Sequence, residues 1–295
     1  MGRTLVSLAL ALLPIAPAAA QSEVVATPVG TWTAALDGGL CRIERRFEAQ
    51  GKPHLLILEQ NAPGPGFGIA LAGVSLSGLK STAPVRLGLD AGGQMLEWRA
   101  RVEANRQFGQ VAILTGFAPV ARQEGAPRAF ARIDAALLGA MDRITLAQED
   151  IKVTFATGTL GDAATVLNDC TAQILRTWGL DPEAQYRLQR LAFPQEPRPL
   201  ARQMLKIFRN RDLRSGPFEA VVLVDATGTA TGCRVLPGPG YDALDDAACK
   251  VMLEARYIPA LDTAGQPVAS YWKTRVAYNV LDTERLQLSM QPGQP

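Results

Sequence analysis

The sequence predicts an α+β protein in two parts: an amino-terminal mainly-β sandwich or open barrel plus one helix, then a small antiparallel sheet with one packed helix. Three observations carry this. Residues 24–160 alternate short apolar runs with Gly and Pro at regular spacing, as successive strands do. Residues 160–178 then switch to a helical period and stop at Gly179. The last third, FEAVVLVDATGTATGCRV followed by GYDALDDAACKVMLEARYIPALDTAGQPVASYWKTRVAYNV, reads as strand, strand, helix, strand.

The chain opens with Arg3, an apolar run over 5–15, and Ala18-Ala19-Ala20, the order of parts in a secretory leader. A signal peptide over 1–20 with cleavage before Gln21 is expected. Pro14 and Pro17 break the run, which falls short of the about 20 apolar residues that span a bilayer. An uncleaved leader serving as an inner-membrane anchor is the alternative.

The β-rich domain is expected over 24–180, with strands at 41–47, 54–60, 67–72, 85–89, 95–102, 111–115 and 151–157. RAFARIDAALLGAMDRI fits either a strand or a helix. Leu160, Ala163, Leu167, Cys170, Ile174 and Trp178 then mark one stripe of an amphipathic helix, which puts Cys170 on its buried side.

Residues 181–216 read as a basic Pro/Arg linker, extended over FPQEPRPL and helical after it, where Leu200, Met204, Ile207 and Phe208 share a face. Residues 185–216 carry Arg187, Arg190, Arg198, Arg202, Lys206, Arg209, Arg211 and Arg214 against Glu196 and Asp212. A solvated basic face is one reading, and electrostatic contact with an acidic partner or peripheral membrane phosphates is the other.

Residues 217–282 form the final domain and 283–295 a flexible tail. Val221, Val222, Leu223 and Val224 suit a half-buried strand over 218–225. Thr227-Gly228 turns it into a second strand over 230–236, an antiparallel hairpin. From Asp242 onward, Leu244, Ala247, Ala248, Val251, Met252 and Ala255 fall at helical spacing, with Asp242, Asp245 and Asp246 at the positive end of the dipole. Pro259 stops the helix, and 268–280 is long enough to be a third strand at the sheet edge.

Four cysteines allow three pairings, and their even number suits a chain bound for an oxidising compartment. Cys233 with Cys249 is favoured, because one lies in the second strand of the final domain and the other on the apolar side of the helix packed over it. That leaves Cys41 with Cys170.

The ordered series in the last third resembles the TonB C-terminal domain family of Gram-negative envelope proteins. It comprises a strand ending Val224-Asp225 with Gly228 after it, a strand around Val235, Leu244-Asp245 opening a helix, Tyr257 before Pro259-Ala260, Gly265, and a final strand. The resemblance implies a small antiparallel sheet with a helix across one face, a periplasmic location, and binding of partner proteins without catalysis. Two features depart from the founding transducers. The run before the first strand reads MLKIFRNRDLRSG where the family carries a Tyr-Pro pair, and Phe193-Pro194 stands further upstream. The amino terminus reads as a cleavable leader in place of an anchor with a long Pro-rich spacer. Trp32, Cys41-Arg42, Phe47, FATGTLGDAATVLNDC and Trp178-Gly179 further resemble an accessory domain that precedes TonB-like modules in some alphaproteobacterial proteins, which implies no activity.

Chemistry-bearing patterns are sparse, and no catalytic, cofactor or metal site is expected. His54 is the only histidine and sits at the start of an expected strand, more in keeping with a surface or strand-edge residue than a base. The cysteines are not in CxxC pairs, no GxSxG elbow is present, and SGLKST lacks the Gly-Lys of a phosphate loop. The proline-bearing glycine runs PGPGFG and PGPGY read as turns. With 30 basic against 28 acidic residues, no general attraction to nucleic acid or anionic lipid is implied, the basic stretch between the domains being a local exception.

The expected binding surface is the edge formed by the final strand, with Tyr271, Trp272, Lys273, Arg275 and Tyr278. An extended segment of an outer-membrane receptor or another envelope protein can add there as a further strand. A second copy of the chain, giving a homodimer, is the other partner such an edge accepts. An envelope protein of structural or ligand-binding type, whose last domain only dimerises or docks, is the alternative function.

Overall fold

The computed structural model describes residues 23–37, 40–64, 66–89, 94–117, 132–209, 216–236 and 242–278. The leader expected over 1–20 and the tail expected over 283–295 lie outside them.

Ten strands make one sheet: β1 (Val24–Asp37), β2 (Leu40–Ala49), β3 (Lys52–Gln60), β4 (Phe67–Gly73), β5 (Val85–Gly88), β6 (Leu96–Trp98), β7 (Arg101–Asn105), β8 (Gly109–Phe117), β9 (Ile144–Gln148) and β10 (Ile151–Phe155). Their order is β6-β5-β9-β10-β1-β2-β3-β4-β8-β7, antiparallel at every step except β1 with β10. Leu87 of β5, Phe155 of β10, Phe47 of β2, Leu58 of β3 and Leu114 of β8 share one buried cluster, so the two wings curl around a common interior. The edge strands β6 and β7 are consecutive in the chain, and Arg99 and Ala100 between them span about 10 Å at most. The sheet edges therefore approach each other, and the domain is an open half-barrel, with no second stacked sheet among the described residues. The single strand expected over 95–102 is in fact two, because the chain crosses the mouth of the barrel there.

Strands β1 and β9 were not legible in advance. Residues Val24, Val25 and Ala26 of β1 pair with β10, and the strand then passes to β2. Between Val29 and Thr33 it bulges, with Gly30 at φ 80. Arg45 holds the bulge: its Nε donates to the Gly30 carbonyl at 3.0 Å, its Nη1 donates to Thr157 at 3.1 Å, and its guanidinium lies 5.9 Å from the Trp32 ring. Pro28 and Gly30 interrupt the alternation that would have announced the strand. The ambiguous run contains both a helix, α1 (Ala135–Gly139), and the start of β9, while its first residues lie outside those described. Asp134 caps α1, its Oδ1 accepting from the Ala136 and Leu137 amides at 3.0 Å.

Helix α2 (Gly161–Thr177) packs Ala163, Ala164, Leu167 and Ile174 into the barrel core. A disulfide from Cys170 to Cys41 fastens it to β2. Gly179, at φ 75, follows its end in the left-handed conformation that suits glycine.

The expected linker is folded. After the short helix α3 (Pro182–Gln185), Phe193–Pro194 is a strand, β11, and Pro197–Arg209 is helix α4. Proline at the first position of α4 costs nothing, since its missing N–H has no intrahelical partner there. Then come β12 (Gly216–Val224), β13 (Ala230–Val235), helix α5 (Asp242–Glu254), β14 (Tyr257–Ile258), β15 (Ala260–Leu261), β16 (Pro267–Val268) and β17 (Ser270–Tyr278). β11 pairs with β14, and Leu200 and Met204 of α4 share a buried cluster with Ala248 and Met252 of α5. The carboxy-terminal unit therefore begins at β11. The third strand expected over 268–280 divides as well: β16 closes a small hairpin with β15, and Ser270 starts the long strand.

Candidate functional site

The small sheet has the order β13-β12-β17, with β12 central and both neighbours antiparallel to it. Its hairpin turn is built from Asp225, whose Oδ1 accepts from the amides of Thr227 at 2.8 Å and Thr229 at 2.9 Å. The Thr227 hydroxyl donates to the same oxygen at 2.7 Å, and this bond, with those from the amides, holds the Asp225 carboxyl below its ordinary value. Gly228 lies against the next segment so closely that a Cβ would stand 2.1 Å from the Tyr257 carbonyl oxygen. Cys233 of β13 is bonded to Cys249 of α5, which clamps the helix to that side of the sheet.

Strand β12 is buried on both faces. Ala220, Val222 and Val224 pack with Trp272 of β17 against the helices, in the cluster that holds Met204, Ala248, Met252 and Tyr257. Val221 packs with Tyr271 in a different cluster with Ala62, Leu175, Leu180 and Leu236, where the sheet meets the half-barrel. This explains the unbroken run of Val221, Val222, Leu223 and Val224, since a strand covered on both faces has no polar side to alternate. The expectation of a half-buried strand is corrected accordingly.

The expected edge residues divide sharply. Tyr271 is fully buried; its hydroxyl donates to the Pro63 carbonyl at 2.8 Å, and its ring meets Trp178 edge-on at 5.2 Å. Burial, with Tyr186 nearby, pushes its phenol well above the ordinary range. Trp272 is buried on the opposite face, 5.7 Å from the Tyr257 ring. Tyr257 donates to the Met252 carbonyl at 2.9 Å, and burial raises its phenol too. Lys273 Nζ donates to Asn61 Oδ1 at 2.8 Å and stands 3.3 Å from Glu219 Oε2, while Asn61 Nδ2 donates to that same carboxylate at 2.9 Å. These three side chains hold the molecule together. The side chains of Arg275 and Tyr278 lie outside those described, although both residues are paired with β12.

Asn61, Pro63, Trp178 and Glu219 were missed as partners of this strand. Asn61 and Pro63 sit in the β3–β4 loop, which the sequence marks only as a Gly/Pro turn; Gln60 Nε2 braces it by donating to the carbonyls of Gly64 and Gly66 at 2.6 and 3.0 Å.

His54 is buried rather than at the surface, its ring lying over Gly73, where a Cβ would come within 2.0 Å of it. Its Nδ1 faces the Lys52 carbonyl at 3.0 Å and its Nε2 faces Ser75 Oγ at 2.9 Å. Among the described residues no group of three or more His, Cys, Asp or Glu side chains could hold a metal ion, and no helix is long and apolar enough to cross a membrane.

No curated protein and no solved structure matches this chain. A family profile does match, over residues 211–280: that of the Gram-negative bacterial TonB protein C-terminal. The match spans β12 through β17, the elements that build the small sheet and its helix. Residues 211–280 are therefore a domain of the TonB C-terminal type, and the family is shown for this segment alone.

Proposed function

We propose that this chain is a non-enzymatic periplasmic protein that binds an extended peptide segment of an outer-membrane or other envelope partner by strand addition at the outer edge of β17, in support of transport across the envelope. The observation behind this reading is that β17, nine residues long, is paired along one side only among the described strands. A peptide laid beside it gains main-chain hydrogen bonds without rearranging the core. Tyr271 and Trp272 are buried and Lys273 is engaged by Asn61 and Glu219, so we assign affinity to the main chain and selectivity to Arg275 and Tyr278. The leader is read as cleaved before Gln21, and amino-terminal sequencing of the protein recovered from cells checks that step.

The test is photocrosslinking in cells from position 275, with mass spectrometry of the captured peptides. Crosslinks to an extended periplasmic segment of an outer-membrane protein support strand addition, whereas crosslinks only to a second copy point to a homodimer. A second reading has its own observation: the buried contacts of Tyr271, Lys273 and Val221 favour a carboxy-terminal domain that docks on its own half-barrel, with the half-barrel as the working part of an envelope protein.

A further inference from the structure

Helix α4 has a flank that the small sheet does not use. Arg198, Arg202 and Lys206 recur every four residues and are exposed, while Leu200 and Met204 turn into the core. At 1.5 Å of rise per residue the three heads line up along about 12 Å of the helix. The helix, PRPLARQMLKIFR, contains no acidic side chain. Among the described residues none of the three is in an ion pair. Their neighbours in sequence are already engaged: Arg187 Nε donates to the Glu183 carbonyl and Arg190 Nη2 to the Pro259 carbonyl, each at 3.1 Å.

We propose that this flank is an electrostatic docking surface for an anionic phospholipid membrane. The apolar stripe of α4 is committed to the core, so the contact is peripheral and the helix does not insert. A protein partner suits the flank less well. Protein interfaces centre on buried aromatic or large apolar anchors, and among the described side chains of α4 the exposed ones are Pro197, Arg198, Arg202, Gln203 and Lys206. A membrane presents a continuous layer of phosphate charge and requires only a sufficient density of cations opposite it. This inference does not depend on what β17 binds.

The experiment is co-sedimentation of the full chain with vesicles of equal parts phosphatidylglycerol and phosphatidylcholine, against vesicles of phosphatidylcholine alone, over a range of salt. Each cation near such a surface contributes about fivefold in binding, so replacing Arg198, Arg202 and Lys206 together by Gln weakens it roughly a hundredfold. Replacing Arg198 and Arg202 by Lys preserves the charge and the binding, which separates a charge effect from a folding fault. Comparison with the wild type cancels any contribution of the amino-terminal apolar run. Equal binding by the Gln variant, binding that ignores salt, or retention on polyglutamate with neither vesicle bound would each overturn the proposal, the last in favour of an acidic protein.

Discussion

Replacing Tyr271 tests how the two halves of the molecule are held together. Its side chain is fully buried in a cluster with Leu175 and Leu180 from the α2 end and Val221 from β12, and its hydroxyl reaches back to Pro63. Tyr271→Phe keeps the ring and leaves the Pro63 carbonyl without its donor, a loss of about 1–3 kcal/mol for a buried hydrogen bond. Tyr271→Ala also removes the ring from beside Trp178, and truncations of aromatic core residues cost about 3–5 kcal/mol. The assay is urea unfolding followed in parallel by tryptophan fluorescence, to which Trp178 contributes directly, and by far-ultraviolet circular dichroism. Tyr271→Phe should lower the midpoint while the two probes still coincide. Tyr271→Ala should separate them, because the small sheet then loses its seat on the half-barrel and the chain no longer unfolds as one unit. If both variants unfold within about 0.5 kcal/mol of the wild type, as surface substitutions do, Tyr271 is not enclosed between the two parts, and its expected place on a partner-facing edge is restored.

Three further outcomes are expected. Gly228→Ala should destabilise the carboxy-terminal unit by about 2–4 kcal/mol, through left-handed strain together with displacement of the Tyr257 backbone, and this is readable as a drop in thermal midpoint. Converting Cys233 and Cys249 to Ser opens a link of sequence separation 16 and should cost about 3 kcal/mol, measurable as lost protease resistance of the last domain. Tyr257 and Tyr271 have phenols raised by burial, so above about pH 10 the unfolded chain releases protons that the folded chain retains. Their contribution is therefore intact below that pH and lost as pH rises beyond it, which an alkaline series of urea midpoints checks, and Tyr271→Phe should flatten the decline.

The local elements and their chemistry were largely legible. Helix α2 could be read from its stripe and from Gly179, and the turn at Asp225 from Thr227-Gly228. What misled was a run of residues serving two elements. Residues 95–102 read as one strand because their composition is continuous, yet the chain turns at Arg99 and Ala100 to join opposite edges of one sheet. FPQEPRPL read as a linker because three prolines and two charged residues resemble an extended spacer, although Phe193–Pro194 finds β14 and Pro197 opens a helix.

The division between sequence and tertiary structure is clearest on β17. Period and residue type alone determine that 268–280 holds a strand, that it alternates, and that it belongs to the final sheet, because these depend on neighbours a few positions away. Which face of it is free depends on contacts made 208 and 212 positions away in the chain, at Pro63 and Asn61. No local pattern encodes those partners. An amphipathic strand looks the same whether its second face meets water, a peptide or another domain, and only the packing of the half-barrel against it buries Tyr271, ties Lys273 to Asn61 and leaves the outer main-chain edge unpaired among the described strands.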